Sequence, residues 1–170
     1  MRSSTIPSRS VDAKALANQF LDWGDADGVD ISPMKLQKLL FFSNADFIVK
    51  RRHALIDQEF EAWDYGPVLP SVYQEFKSFK DKPIKTRAKA FDPVTVQIRV
   101  PSMKLPEADR IVLKNVFDFY KKFSAVALSD LSHSSIGPWR QARSLFANGL
   151  NPNRAISNEL ILEYHRLFDS

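Results

Sequence analysis

The stretch ISPMKLQKLLFFSNADFIVKRR, residues 31–52, constrains the fold more than any other. Ser32 is placed to cap a helix and Pro33 suits its first position, where the missing N–H is no loss. Leu36, Leu39, Leu40, Ser43 and Phe47 recur at helical spacing on one face, and Phe41, Phe42 and Ile48 widen it to a second side. Lys50, Arg51 and Arg52 follow where the negative end of the helix dipole favours cations. A helix apolar on two sides needs neighbours on both flanks, so this one is expected to be buried on two sides.

The neighbours are legible. Ala13, Leu16, Ala17, Phe20 and Leu21 predict a helix from residue 11 to about 25, ended by the glycines of DWGDADGVD. That aspartate-rich stretch lacks the spacing and closing glutamate of a calcium loop and reads as a helix exit. Residues 55–67 predict a short strand or extended run. A helix capped by Ser71 follows, through Val72, Tyr73, Phe76 and Phe79. Ile111, Leu113, Val116, Phe117 and Tyr120 predict another, Ser124 caps the next, and residues 139–146 form a short one. NGLNPNR reads as a loop, and Ser157 caps a last helix with Leu160, Ile161, Tyr164, Leu167 and Phe168 facing inward.

Two alternating segments predict a hairpin. Residues 84–91 put Ile84, Thr86, Ala88 and Ala90 on one side and Lys85, Arg87 and Lys89 on the other. Residues 94–100 put Val94, Val96, Ile98 and Val100 inward and Thr95, Gln97 and Arg99 outward. The expected fold class is therefore mainly α (α+β): a single helical domain over residues 11–170 with a small antiparallel sheet or hairpin, preceded by a flexible tail at 1–10.

The 170 residues contain no cysteine, which excludes disulfides and Cys-based zinc sites and suits a reducing cytoplasm. No apolar run approaches the roughly 18 residues of a membrane-spanning helix, and residues 1–10 lack the apolar stretch of a signal peptide. The net charge of +4 is unevenly spread. Residues 77–104 carry Lys77, Lys80, Lys82, Lys85, Arg87, Lys89, Arg99 and Lys104 against only Asp81 and Asp92. Such a face can attract an acidic protein surface or nucleic acid. No aromatics interleave with it as stacking platforms, and no helix-turn-helix is evident, so nucleic acid is not the expected partner.

The three histidines, His53, His133 and His165, show no metal-binding spacing. Asp130, Ser132 and His133 hold the letters of a hydrolase, but they are too close in sequence for a triad and no GxSxG elbow is present. His133 reads instead as a hydrogen-bonding residue near a turn. No catalytic, cofactor-binding or metal-binding residue and no cofactor is assigned. The segment EAWDYGPVLPSVYQEFK is a corner: Trp63 in a strand filling core, Gly66 allowing an unusual backbone angle, and Pro67 and Pro70 stiffening the turn into a helix. Gly137, Pro138 and Trp139 are expected to form a second corner packed on the first, with Tyr65, His133 and Trp139 close together. Aromatic corners also anchor interfaces.

Three segments in this order, ISPMKLQKLLFFSNADF, EFEAWDYGPVLPSVYQEFK and LSDLSHSSIGPWRQAR, resemble the Panacea antitoxin-domain family, the SocA-like proteins of bacteria and their prophages. The resemblance spans residues 11–143. It implies an antitoxin of a toxin–antitoxin pair that neutralises its toxin by direct protein–protein contact, the toxin being encoded by the adjacent gene. It implies no enzymatic activity. Alternatives are an adaptor delivering a toxin to a Clp-type protease, or a nucleic-acid-binding module using residues 77–104. Many members carry a further DNA-binding domain. The residues before Val11 are too few for one, so autoregulation of the operon is not expected. The shared motifs are read as scaffold, and toxin recognition is assigned to Lys82, Lys85, Arg87, Lys89, Arg99 and Tyr65.

Overall fold

A computed structural model describes residues 10–166. The tail expected at 1–10 lies outside the described residues, Ser10 excepted, as does the inward packing expected for Leu167 and Phe168. The architecture is mainly helical with two small antiparallel sheets. Helix α1 (Ala13–Asp27) begins at Asp12, whose carboxylate accepts from the N–H groups of Lys14 and Ala15 at 2.9 and 3.1 Å. Helix α2 (Pro33–Arg51) begins on the Ser32 cap, with Pro33 in its first turn, and ends at Arg52. As its two-sided apolar pattern requires, α2 is central. It packs against α1, α3 (Pro70–Phe76), α4 (Glu107–Tyr120), α5 (Ala125–Ser132) and α7 (Asn158–Arg166). Phe20, Leu36, Leu39, Leu40, Phe47, Phe60, Phe117 and Ile161 form the centre of the core and are almost fully buried. Each such side chain contributes about 1.5–3 kcal/mol of transfer free energy. Among the described residues no helix is long and apolar enough to cross a membrane.

The first sheet has the order β2-β1-β5, all antiparallel. β1 (Phe60–Trp63) pairs with β2 (Gly66–Val68) through a tight turn, and Phe60 also faces Ile156 of β5 (Ala155–Ile156). The sequence shows no sign of β5, because a two-residue strand has no periodicity of its own. Ser71 does not cap α3: the helix starts one residue earlier, at Pro70, with Leu69 as its uncapped flank, and the Ser71 hydroxyl has no partner.

The predicted hairpin forms, but differently. Its strands are three residues each, β3 (Ala90–Asp92) and β4 (Gln97–Arg99), in the register Ala90↔Arg99 and Asp92↔Gln97. Residues 84–89 are instead an unpaired run with Ile84 and Ala88 buried. The inward orientation expected for Val94, Val96, Ile98 and Val100 is wrong: they are 89%, 73%, 72% and 54% exposed. Alternation separates two faces but does not say which one is covered, and here residues 93–100 are exposed throughout.

One side chain anchors the hairpin. Buried Asn18 donates to the carbonyls of Ala88 and Pro101, both at 3.1 Å, and accepts from the Ala88 N–H at 2.7 Å. The two ends of the excursion are thereby fastened to α1. Asn18→Ala leaves these backbone groups buried without partners and is expected to cost about 2 kcal/mol. Urea denaturation measures that loss, and faster amide exchange confined to residues 88–101 would locate it.

Candidate functional site

The corner at residues 61–70 is wired by side chains from three helices. From α2, Gln37 accepts from the Leu69 N–H at 2.8 Å and donates to the Leu69 carbonyl at 3.1 Å. The next residue, Lys38, donates to the Pro67 carbonyl at 3.0 Å. From α5, Ser129 donates to the Tyr65 carbonyl at 3.0 Å. From α6 (Pro138–Ala147), the Trp139 indole donates to the Trp63 carbonyl at 2.7 Å, and Arg143 reaches the Ala62 carbonyl and the Asp64 carboxylate at 3.2 and 2.8 Å. Backbone polar groups that a turn would otherwise leave bare are thus satisfied.

The two corners pack together as expected. Gly66 has φ of +106°, and an added Cβ would stand 2.6 Å from the Ser132 hydroxyl and 2.8 Å from Lys38 Cε. Gly137 differs: its φ of −73° suits any residue, and it caps α6 while Pro138 opens the helix. The His133 ring is not a hydrogen-bonding piece as expected. It stacks on Trp139 with centroids 4.1 Å apart, and its Nε2 is buried without a partner. Burial, then the nearby Lys38 charge, hold its pKa below the usual histidine value.

Trp63 does not fill core. It is half-buried and packs edge-on against Tyr73 at 4.9 Å, with its indole N–H on Glu61 at 2.7 Å. These rings wall a groove of about 600 Å³ between the corner, the start of α2, and α3. Tyr65 stands at its edge, 73% exposed. Lys38 lies beneath it with no carboxylate among the described residues bonded to its ammonium, and burial pushes its pKa down to about 8.

The basic segment is less free than its composition suggests. Arg87 binds Asp22 at 2.7 Å and also Asp25, both on α1. Lys85 meets Asp30 at 3.5 Å, and Arg99 meets Asp92 at 3.7 Å. Lys82 and Lys89 are exposed and stand outside these ion pairs. Sequence reasoning missed the exposed valines and Ile98, as well as the groove-lining Met34, Tyr73 and Arg154. Met34 and Tyr73 carry no local signal, because helix periodicity leaves boundary positions ambiguous.

Comparison with known proteins adds the identity of the family. The sequence profile described as "Antitoxin SocA-like, Panacea domain" matches residues 36–140, which include most of α2, the corner and the start of α6. Antitoxin SocA of Caulobacter vibrioides (strain NA1000 / CB15N) is 36% identical over 149 residues, covering 88% of this chain and 77% of that protein. No solved structure matches. With the three motifs assembled into one wired corner, the chain belongs to the SocA-like, Panacea-domain family of antitoxins.

Proposed function

We propose that this chain neutralises a cognate toxin protein in the cytoplasm by direct, non-enzymatic contact, using the 90–100 hairpin as its recognition element. The observation that carries the reading is the hairpin's apolar surface. Phe91, Val94, Val96, Ile98 and Val100 are all more than half exposed on a ribbon that no helix among the described residues covers. Val96 also has φ of +54°, a conformation that a β-branched residue adopts only with strain. A strained, apolar, solvent-facing tip on a fastened base suits a surface completed by a partner. Asp92 stiffens that tip by accepting from the Val94 and Thr95 N–H groups at 2.9 and 3.4 Å.

The charged residues take a secondary part. Lys82 and Lys89 are available to steer an acidic toxin surface, with Lys85 and Arg99 beside them and Arg87 holding the segment to α1. The ion pairs of Lys85, Arg87 and Arg99 leave little of the positive face for phosphates.

Co-expression with the neighbouring open reading frame tests the reading. The neighbour alone is expected to arrest growth, and the pair to grow and yield a stable complex. Val96→Asp with Ile98→Asp should weaken that complex at least tenfold at unchanged thermal stability, since Asp is better suited than Val to the left-handed conformation at position 96. A harmless neighbour that forms no complex would overturn the antitoxin reading. A complex indifferent to the double variant would remove the hairpin from it.

A further inference from the structure

The groove beside the corner has a chemistry of its own. Its apolar lining includes Leu36, Val68, Val72 and Phe76, and Met34, Trp63, Tyr65 and Tyr73 stand at its sides. Tyr, Trp and Met are the residues that interfaces favour, and here they are part-exposed around a concavity rather than sealed in the core. The charges are one-sided. Lys77, Lys80 and Arg154 line it along with Lys38. Among the described residues Lys77 is held by the neutral Gln74 amide at 2.7 Å, and Arg154 lies over the Phe146 ring at 5.5 Å. Among the described lining residues the one carboxylate is that of Asp64, which is paired with Arg143 at 2.8 Å. Two of these cations, Lys80 and Arg154, have positive φ, +57° in each case, so the backbone carries strain at the positions that set the positive charge.

We propose that this groove is a docking site for an extended, acidic peptide segment of a partner protein, with an aromatic or aliphatic side chain seated on the apolar floor against the paired Trp63 and Tyr73 rings. Carboxylates flanking that anchor meet Lys77, Lys80 and Arg154. A volume of about 600 Å³ holds an anchor side chain and its immediate neighbours. The apolar floor supplies affinity, and the cations select for charge and set the orientation of the segment. The site is separate from the hairpin, and the inference does not depend on which surface the toxin uses.

The test uses the full chain, immobilised, against a phage-displayed library of random heptapeptides. Retained sequences are expected to place Asp or Glu within two positions of Phe, Trp, Leu or Met. Retention of the enriched phage should fall at least tenfold on Tyr73→Ala, and at least tenfold on the doubly reversed Lys77→Glu, Lys80→Glu variant. The double variant changes only exposed side chains and so separates loss of docking from loss of fold. Binding should also weaken as salt is raised. An absence of enrichment, enrichment of neutral or basic peptides, or retention unaffected by both variants would overturn the proposal.

Discussion

Gly66→Ala is expected to destabilise the protein by about 2–6 kcal/mol, a large share of the 5–15 kcal/mol typical of a domain. Two independent terms add. At φ of +106° an L-residue is strained, which costs about 1–3 kcal/mol. The new methyl also enters space held by the Ser132 hydroxyl at 2.6 Å and by Lys38 Cε and Nζ at 2.8 and 2.9 Å. Both neighbours are buried and hydrogen-bonded, Lys38 to Pro67 and Ser132 to the Ser129 carbonyl at 2.6 Å. Moving either one breaks a bond, so overpacking adds about 1–3 kcal/mol more. Urea denaturation measures the sum. A loss below about 1 kcal/mol would mean that the corner relaxes and that the interlocking of Gly66, Lys38 and Ser132 is not rigid.

Lys38 gives the second large effect, and its sign is definite. Burial lowers its pKa from 10.5 to about 8 in the folded protein. Between those values the unfolded chain binds more protons than the native one, so stability rises with pH. The rise approaches about 1.4 kcal/mol per pH unit within the window and totals about 3 kcal/mol. Lys38→Met should abolish this component while adding a pH-independent loss from the unpaired Pro67 carbonyl. The measured quantity is the stability difference between wild type and variant at pH 7, 8, 9 and 10.5. A difference that stays flat would show that the ammonium is well solvated in the folded protein. The residue keeps its bond to Pro67 on either side of pH 8, because the neutral amine still donates.

What could be read in advance follows from what is local. Helix α2, its Ser32 cap and its cationic end are fixed by periodicity and dipole within nineteen residues. The same holds for the caps at Ser124 and Ser157, whose hydroxyls accept from Ala127 and Leu160 N–H groups at 3.1 and 3.2 Å. The corner was legible as a corner, since Gly66 and two prolines announce a turn. Its wiring was not. Gln37 and Lys38 lie in one of the three segments that carry the resemblance to the family, yet nothing in a leucine-rich helix says that two polar side chains will serve the backbone of a distant turn. The hairpin failed for another reason. Its alternation was present in the sequence, but the assignment of faces assumed that the apolar one must be covered, and here Val94, Val96, Ile98 and Val100 stay exposed.

The hydrogen bonds that hold the corner also dictate an order of assembly. They join residues 29 to 81 positions apart: Lys38 to Pro67, Gln37 to Leu69, Ser129 to Tyr65, Trp139 to Trp63 and Arg143 to Ala62. The bonds of Gln37 and Lys38 need only residues up to 69, whereas those of Ser129, Trp139 and Arg143 wait for segments 64 to 81 positions further along the chain. During synthesis, a chain that has emerged only through α4 possesses the glycine, both prolines and α2, yet lacks every ligand that α5 and α6 supply to that turn. Arg154 and β5 arrive later still. The concavity between α2 and α3 therefore matures only when nearly the whole polypeptide has left the ribosome, which keeps a half-made chain from offering a finished docking surface.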